Sequence, residues 1–190
     1  MRWATLYARS RRVPLTVLTV QLATLGVWAL ARATGGGPLL GTVALLLTVS
    51  ILTIGLSGPE PALDAISALP WLPRRALHAL LIAAVTTVTA LAWQAILGPV
   101  MPAGVVLRTC AGLTGVAALA ATAFGGRHGW TLPFGWFLPS FFAPHPPDES
   151  GLSRALTWMV QPEHTPPATW AASTLAVLGV ACYARFGNRR

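Results

Sequence analysis

Long apolar runs, with the charged residues gathered at their ends, dominate this chain. Charged side chains make up 9% of its 190 residues and hydrophobic ones 54%, whereas soluble domains carry about 25% charged residues. So few charges could not cover the surface of a soluble core. Because a helix needs roughly 20 apolar residues to cross a bilayer, the runs predict an all-α membrane protein, with residues 1–190 forming one transmembrane domain.

Six segments are predicted to be transmembrane helices. The fifth has 13 residues and contains Pro133 and Pro139. As a helix it would reach only about 20 Å, against a hydrocarbon core of about 30 Å. It is therefore expected to be either a short, kinked span or a re-entrant segment. The six segments are 13–33, 39–56, 76–97, 103–124, 130–142 and 168–186.

The first twelve residues combine apolar and cationic character. Trp3, Leu6 and Tyr7 fall three and four positions apart, on one face of a helix, with arginines around them. This pattern is typical of an amphipathic helix that lies in the membrane interface. A basic tail that only sets the topology is the alternative.

Residues 143–167 are the longest polar stretch and are predicted to form an outer loop. Ser150 is a candidate N-cap within it, and Leu152, Leu156 and Met159 are expected to share one helical face. The loop is therefore predicted to hold a short amphipathic helix in the outer membrane interface.

The arginines predict the topology, because short cytoplasmic segments are enriched in basic residues. With six spans and both termini in the cytoplasm, ten of the thirteen arginines lie inside. A re-entrant fifth segment would reduce the split to eight against five. The inside set is Arg2, Arg9, Arg11, Arg12, Arg74, Arg75, Arg127, Arg185, Arg189 and Arg190, and the outside set is Arg32, Arg108 and Arg154.

Polar and small residues inside the spans predict helix contacts. Gln21 is expected to face another helix. Arg108, five residues into its span, is expected to reach the headgroups, with the lining of a polar path as the alternative. Small residues at spacings of three and four let helices approach closely, within the bundle or in a dimer. This row is Ala111, Gly115, Ala118 and Thr122.

No catalytic or metal-binding set is recognisable, and the chain is not predicted to be an enzyme. It has no phosphate-binding loop with a Gly-Lys-Ser/Thr ending. Cys110 and Cys182 lie in apolar runs and are expected to be small buried residues. The four histidines lie in loops or at span ends, without the spacing of metal ligands. The arginines form no stripe, so nucleic acid is not an expected partner.

The polar interruption at residues 57–78 separates two of the apolar runs. Leu63, Ile66 and Leu69 follow one another at three-residue steps, which gives a narrow apolar helical face that could dock in a groove. Prolines at both ends would fix its backbone angles. A helix resting on the inner leaflet is the alternative. The partner-binding residues predicted here are Glu60, Leu63, Asp64, Ile66, Leu69, Pro70, Arg74 and Arg75.

This interruption resembles the cytoplasmic loop of ABC-2-type transport permeases, the membrane subunits of ABC exporters. Glu60 matches the family's acidic residue, Leu69-Pro70 its Leu-Pro step, and Arg74-Arg75 its basic pair. The chain departs from the pattern at Trp71-Leu72-Pro73. The resemblance extends to the amphipathic start, the six spans and the outer loop, and it implies that residues 57–75 carry a coupling helix that docks on a separate ATP-binding subunit.

The hypothesis is therefore an exporter subunit in the cell membrane that moves a peptide, drug or lipid-like substrate. The resemblance implies that it pairs with a second permease copy or a paralogue. It binds no cofactor itself, since ATP and magnesium would be held by the ATP-binding cassette subunit. A non-transporting membrane scaffold or an immunity-type protein is the alternative.

Overall fold

The computed structural model describes residues 13–54, 71–143 and 150–187. These residues form seven α-helices and a short 3₁₀ helix at Gly126–His128, and none of them lies in a β-strand. The predicted interfacial helix of residues 1–12 falls outside the described residues. The α-helices are α1 (Val13–Thr34), α2 (Gly37–Ile54), α3 (Trp71–Leu97), α4 (Ala103–Phe124), α5 (Thr131–Phe142), α6 (Gly151–Leu156) and α7 (Pro166–Phe186).

Helix α4 is the centre of the bundle, and its largest contact is with α7. The two backbones touch at Gly115 and Gly179. A Cβ atom added to Gly115 would meet the carbonyl oxygen of Leu175 and the Cα of Ala176, and one added to Gly179 would meet the Gly115 carbonyl. Only glycine permits this approach, so the pair fixes where α7 lies against α4.

The small-residue row on α4 is therefore used for packing within the chain. Gly115 contacts α7, and Ala118 is fully buried in a cluster with Ala79 of α3 and Tyr183 of α7. Of the two uses predicted for this row, these positions confirm the contact inside the bundle.

Side-chain hydrogen bonds join α1 to its neighbours. The Gln21 amide donates to the hydroxyl of Thr89 on α3, at 3.3 Å, which confirms that Gln21 faces another helix. The Thr24 and Thr48 hydroxyls are 2.7 Å apart and link α1 to α2. Such bonds satisfy polar groups where no water is at hand and set the relative register of the helices.

The turns between the helices gather at two ends of the bundle. The upper end comprises the turns at residues 35–36 and 98–102 together with residues 157–165. The lower end comprises residues 125–130, the first turns of α3 and the last turn of α7. Arg32 belongs to the upper end, where its guanidinium donates to the carbonyl oxygens of Leu97 and Pro99, at 3.0 and 3.4 Å.

The turn from α3 to α4 is stabilised by a side chain of α3 itself. The Gln94 side-chain oxygen accepts hydrogen bonds from the backbone amides of Val100 and Met101, at 3.0 and 3.1 Å. Gly98 in this turn has a φ of 95°, a conformation that favours glycine. The Arg32 and Gln94 bonds together hold α1, α3 and α4 in place at the upper end.

Three helices of the described residues are long and apolar enough to cross a membrane: residues 72–97, α4 and α7. Helix α2 is shorter but also apolar. Helices α3 and α7 leave large apolar side chains exposed, such as Val88 and Trp170, as expected for surfaces that face lipid. The chain is thus an all-helical protein with the character of a membrane protein, and the six spans stay a prediction.

Two predicted segments differ in their bounds. Helix α3 begins at Trp71 rather than at residue 76, so Arg74 and Arg75 belong to its first turns. Helix α5 has 12 residues and is only about 18 Å long, too short to cross a bilayer as a straight helix. Ser150 does cap α6, since its hydroxyl accepts from the backbone amide of Ser153 at 3.2 Å.

The close α4–α7 contact predicts that a change from glycine to alanine lowers stability at Gly115 but not at Gly26. Gly115→Ala should lower the free energy of unfolding by about 1–3 kcal/mol, because the added methyl group overpacks the contact. Gly26 on α1 has open space around it, so Gly26→Ala should cause no loss. Equilibrium unfolding in mixed micelles measures both, and equal stability of the two variants would contradict the close contact.

Candidate functional site

Two of the eight predicted partner-binding residues lie in the described part of the chain. They are Arg74 and Arg75, in the first turns of α3. Arg74 is exposed and Arg75 is half-buried. The other six lie outside the described residues: Glu60, Leu63, Asp64, Ile66, Leu69 and Pro70.

Arg75 joins the start of α3 to the end of α7. Gly187, the residue that ends α7, is buried and lies directly against the Arg75 guanidinium. It has a φ of 67°, which favours glycine, and a Cβ atom there would also collide with the arginine. Arg75 is thus positioned beside the C-terminal end of α7, where a cation is favoured by the helix dipole.

The first turns of α3 are continuous with its buried part. Ala79 is fully buried and Ile82 nearly so, in the cluster that holds Tyr183 of α7 and Ala121 of α4. No turn or break separates Arg74 from these residues, because α3 is one helix of 27 residues. Helix α3 therefore runs without interruption from Arg74 and Arg75 into the buried cluster.

At the upper end, the chain after α6 enters the bundle without helical structure. Trp158 and Met159 are buried, at 0% and 1% exposure, and the indole ring of Trp158 packs on Gly112 in the middle of α4. Of the predicted amphipathic face, the position of Met159 is wrong, because Met159 follows the end of α6 and fills the core together with Trp158. Leu152 and Leu156 are exposed.

Arg108 of α4 holds this segment. Its guanidinium donates one hydrogen bond to the carbonyl oxygen of Pro162, at 2.8 Å, and another to that of Gln161. The side chain is buried, with 6% exposure. The expectation that it reaches the headgroups is wrong, since Nη1 and Nη2 of the buried guanidinium donate to carbonyl groups of the non-helical segment.

Two side chains of α5 reach the carbonyl group just before this segment. The indole N–H of Trp136 on α5 donates to the carbonyl oxygen of Leu156 at 2.8 Å, and the Ser140 hydroxyl lies 3.3 Å from the same oxygen. Gln161 donates to the Thr157 hydroxyl at 2.7 Å. Irregular backbone inside a membrane protein requires such partners, so the short helix α5 and α4 together form its binding surface.

A cavity of about 550 Å³ lies beside this segment at the upper end. Its wall is mostly apolar, with the Phe141 ring and the Met159 side chain among its members, and Glu163 supplies a carboxylate. Cavities of roughly 300–1,000 Å³ are the size that holds small organic ligands. The full lining is Pro38, Leu39, Thr42, Pro102, Val105, Phe141, Met159, Val160, Gln161, Pro162 and Glu163.

Glu163 lies over the first turn of α4. A Cβ atom added to Gly104 would meet the Glu163 carboxylate, so the absence of a side chain there makes room for it. Arg108 is close enough to act on this carboxylate electrostatically, while its hydrogen bonds go to backbone carbonyl groups.

Among the described residues, no three His, Cys, Asp or Glu side chains are grouped so that they could hold a metal ion. Cys110 is buried and Cys182 half-buried, and both are free thiols. Three histidines, His78, His128 and His164, are exposed.

In the comparisons with known proteins, no family model, no curated protein and no solved structure matches this chain. The resemblance of residues 57–78 to ABC-2-type permeases thus stays an expectation from those residues.

Sequence reasoning missed the upper cavity. The sequence pattern of residues 143–167 predicts no role for Glu163 or Trp158. A usable signal was present, since Arg108 lies inside an apolar run and a proline-rich segment with free carbonyl groups follows later in the chain. Prolines lack an N–H group, so they favour non-helical backbone whose carbonyl groups need donors from elsewhere.

The Arg108 hydrogen bonds predict a local effect of their removal. Arg108→Met should lower the free energy of unfolding by about 2–3 kcal/mol, because two buried carbonyl groups lose a charged donor. Amide hydrogen exchange at residues 157–163 should become faster than elsewhere. Arg154→Met, at the same end but on a side chain with no hydrogen bond to the described residues, serves as the control. Unchanged exchange at residues 157–163 in Arg108→Met would show that the arginine does not hold the segment.

Proposed function

We propose that this chain is the membrane permease subunit of an ATP-driven exporter. A separate ATP-binding subunit would dock on residues 57–75 at the lower end, and hydrolysis on that partner would drive the movement of a substrate. The substrate class named by the resemblance is a peptide, a drug or a lipid-like molecule. Residues 57–78 supply the family pattern on which the proposal rests.

The observation that carries the proposal is the position of Arg74 and Arg75 on α3. The basic pair belongs to the first turns of a continuous helix, whose next turns are buried against α4 and α7. A coupling segment needs a stiff connection to the spans, and a helix is stiffer than a loop. The Arg75 contact with Gly187 adds a second connection, to the end of α7.

The proposed topology puts the lower end in the cytoplasm. Arg74, Arg75, Arg127 and Arg185 lie at this end in the described residues. At the upper end, Arg32 and Arg108 are both donors to backbone carbonyl groups, so structural roles account for them. The positive-inside rule then favours the lower end as the cytoplasmic one.

The proposal includes a second permease copy or a paralogue as partner. The exposed apolar side chains of α3 and α7, among them Val88, Ile96, Trp170 and Val177, suit contact with lipid tails or with such a copy. Lipid covers whatever part of these faces the second permease leaves open.

The docking segment can be tested with two matched triple variants of the full chain. Leu63, Ile66 and Leu69 form the predicted apolar face, and each is preceded by an alanine. Changing Leu63, Ile66 and Leu69 to Asp should abolish co-purification of an ATPase from membranes in mild detergent, since three carboxylates cannot enter an apolar groove. The control changes Ala62, Ala65 and Ala68 to Asp.

The control adds the same charge to the same segment, about 100° around the helix, and should retain the ATPase. Loss of the ATPase in both variants would assign the effect to charge rather than to the apolar face. A chain that purifies alone, and whose phenotype survives the first set of changes, would favour the scaffold or immunity-type alternative.

A further inference from the structure

Glu163 has a special position among the charged residues. The chain has five acidic residues, and Glu163 is the only one of them in the described part of the chain. It is one of the residues that line the upper cavity, whose other walls are mostly apolar. An acidic residue in an otherwise apolar wall favours ligands of the opposite charge, because burying a charge is costly unless it is paired.

Glu163 lies where a ligand in the cavity can reach it. It lies on the N-terminal turn of α4, over Gly104, where the helix dipole stabilises a negative charge. The Arg108 guanidinium, which acts on Glu163 electrostatically, directs its hydrogen bonds at the Gln161 and Pro162 carbonyl groups. Glu163 is half-buried, so it can reach both the cavity and the solvent.

The rest of the wall suits an apolar body next to a cation. Leu39, Val105 and Met159 offer aliphatic and thioether surface, and Phe141 offers an aromatic ring. The face of such a ring attracts organic cations. A cation that is bulky and weakly hydrated loses little on leaving water, which distinguishes it from a metal ion or a primary ammonium group.

We propose that the upper cavity is a binding site for apolar organic cations, with Glu163 as the counter-charge. The ligand class is a delocalised or fully substituted cation with apolar groups around it. That such cations are the substrates of an exporter rests on the proposed function. That the cavity binds them is argued from the described residues alone.

Two ions of nearly equal size and shape and of opposite charge provide the test. Tetraphenylphosphonium and tetraphenylborate differ in the sign of the charge at their centre. Each is dialysed to equilibrium against the full chain in phosphatidylcholine nanodiscs, and binding to empty nanodiscs is subtracted. The subtraction removes partition into lipid, which differs between the ions because of the interfacial dipole potential. The expected result is saturable binding of the cation and none of the anion.

Two variants at one position test the counter-charge. Glu163→Gln keeps the shape of the side chain and removes its charge. It should lower the affinity for the phosphonium cation by about fivefold or more, because a partly exposed ion pair and a cation–aromatic contact together contribute that much. Glu163→Asp keeps the charge, so its affinity for the cation should be closer to that of the unaltered chain. Thermal unfolding verifies that both variants are folded.

Equal saturable binding of both ions, a preference for the borate, or a phosphonium affinity unchanged in Glu163→Gln would overturn the inference. The comparison of the two ions uses the unaltered chain, so it decides the matter even if a variant fails to fold. Co-purification of an ATPase is measured on the same preparation. A retained ATPase with no cation binding sinks this inference alone, and a lost ATPase with cation binding intact sinks the proposed function alone.

Discussion

The backbone contact between α4 and α7 at Gly115 and Gly179 is the constraint on which the rest of the structure depends. It places α7 directly against the central helix, without side chains between them. The segment before α7 must then follow the upper part of α4, and Trp158 fills the space over Gly112. Three glycines on the surface of α4 thus leave room for other groups. The Glu163 carboxylate lies over Gly104, the Trp158 indole ring over Gly112 and the α7 backbone over Gly115.

The second constraint is that polar backbone inside an apolar bundle needs partners. Residues 157–163 are not helical. Arg108 donates to carbonyl groups of this segment, and Trp136 and Ser140 donate to that of Leu156. The buried Arg108 directs two hydrogen bonds at carbonyl groups of this segment, while its Nε has no hydrogen-bond partner among the described residues. The same arrangement leaves room for the upper cavity, so packing and a candidate binding site have one physical origin.

The helices follow closely from the sequence, whereas the site does not. Segments 13–33, 103–124 and 168–186 were predicted within two residues of α1, α4 and α7, because length and apolar composition decide them. Gln21 and Ser150 were also predictable, since an amide in a span needs a partner and a serine before a helix caps it. The positions of Arg108, Met159 and Glu163 depend on which segment returns to α4, and no local pattern encodes that.

The proposed ATPase docks at the lower end, and the proposed cation site lies at the upper end. Both proposals require the two ends to face opposite sides of the membrane. Cysteine accessibility in intact cells tests this directly, with Cys110 and Cys182 replaced by serine. His164→Cys reports on the upper end and His128→Cys on the lower end, since both histidines are exposed. A membrane-impermeant maleimide should label position 164 in intact cells and position 128 only after permeabilisation. Labelling of both positions from outside, or of position 128 alone, would contradict the account.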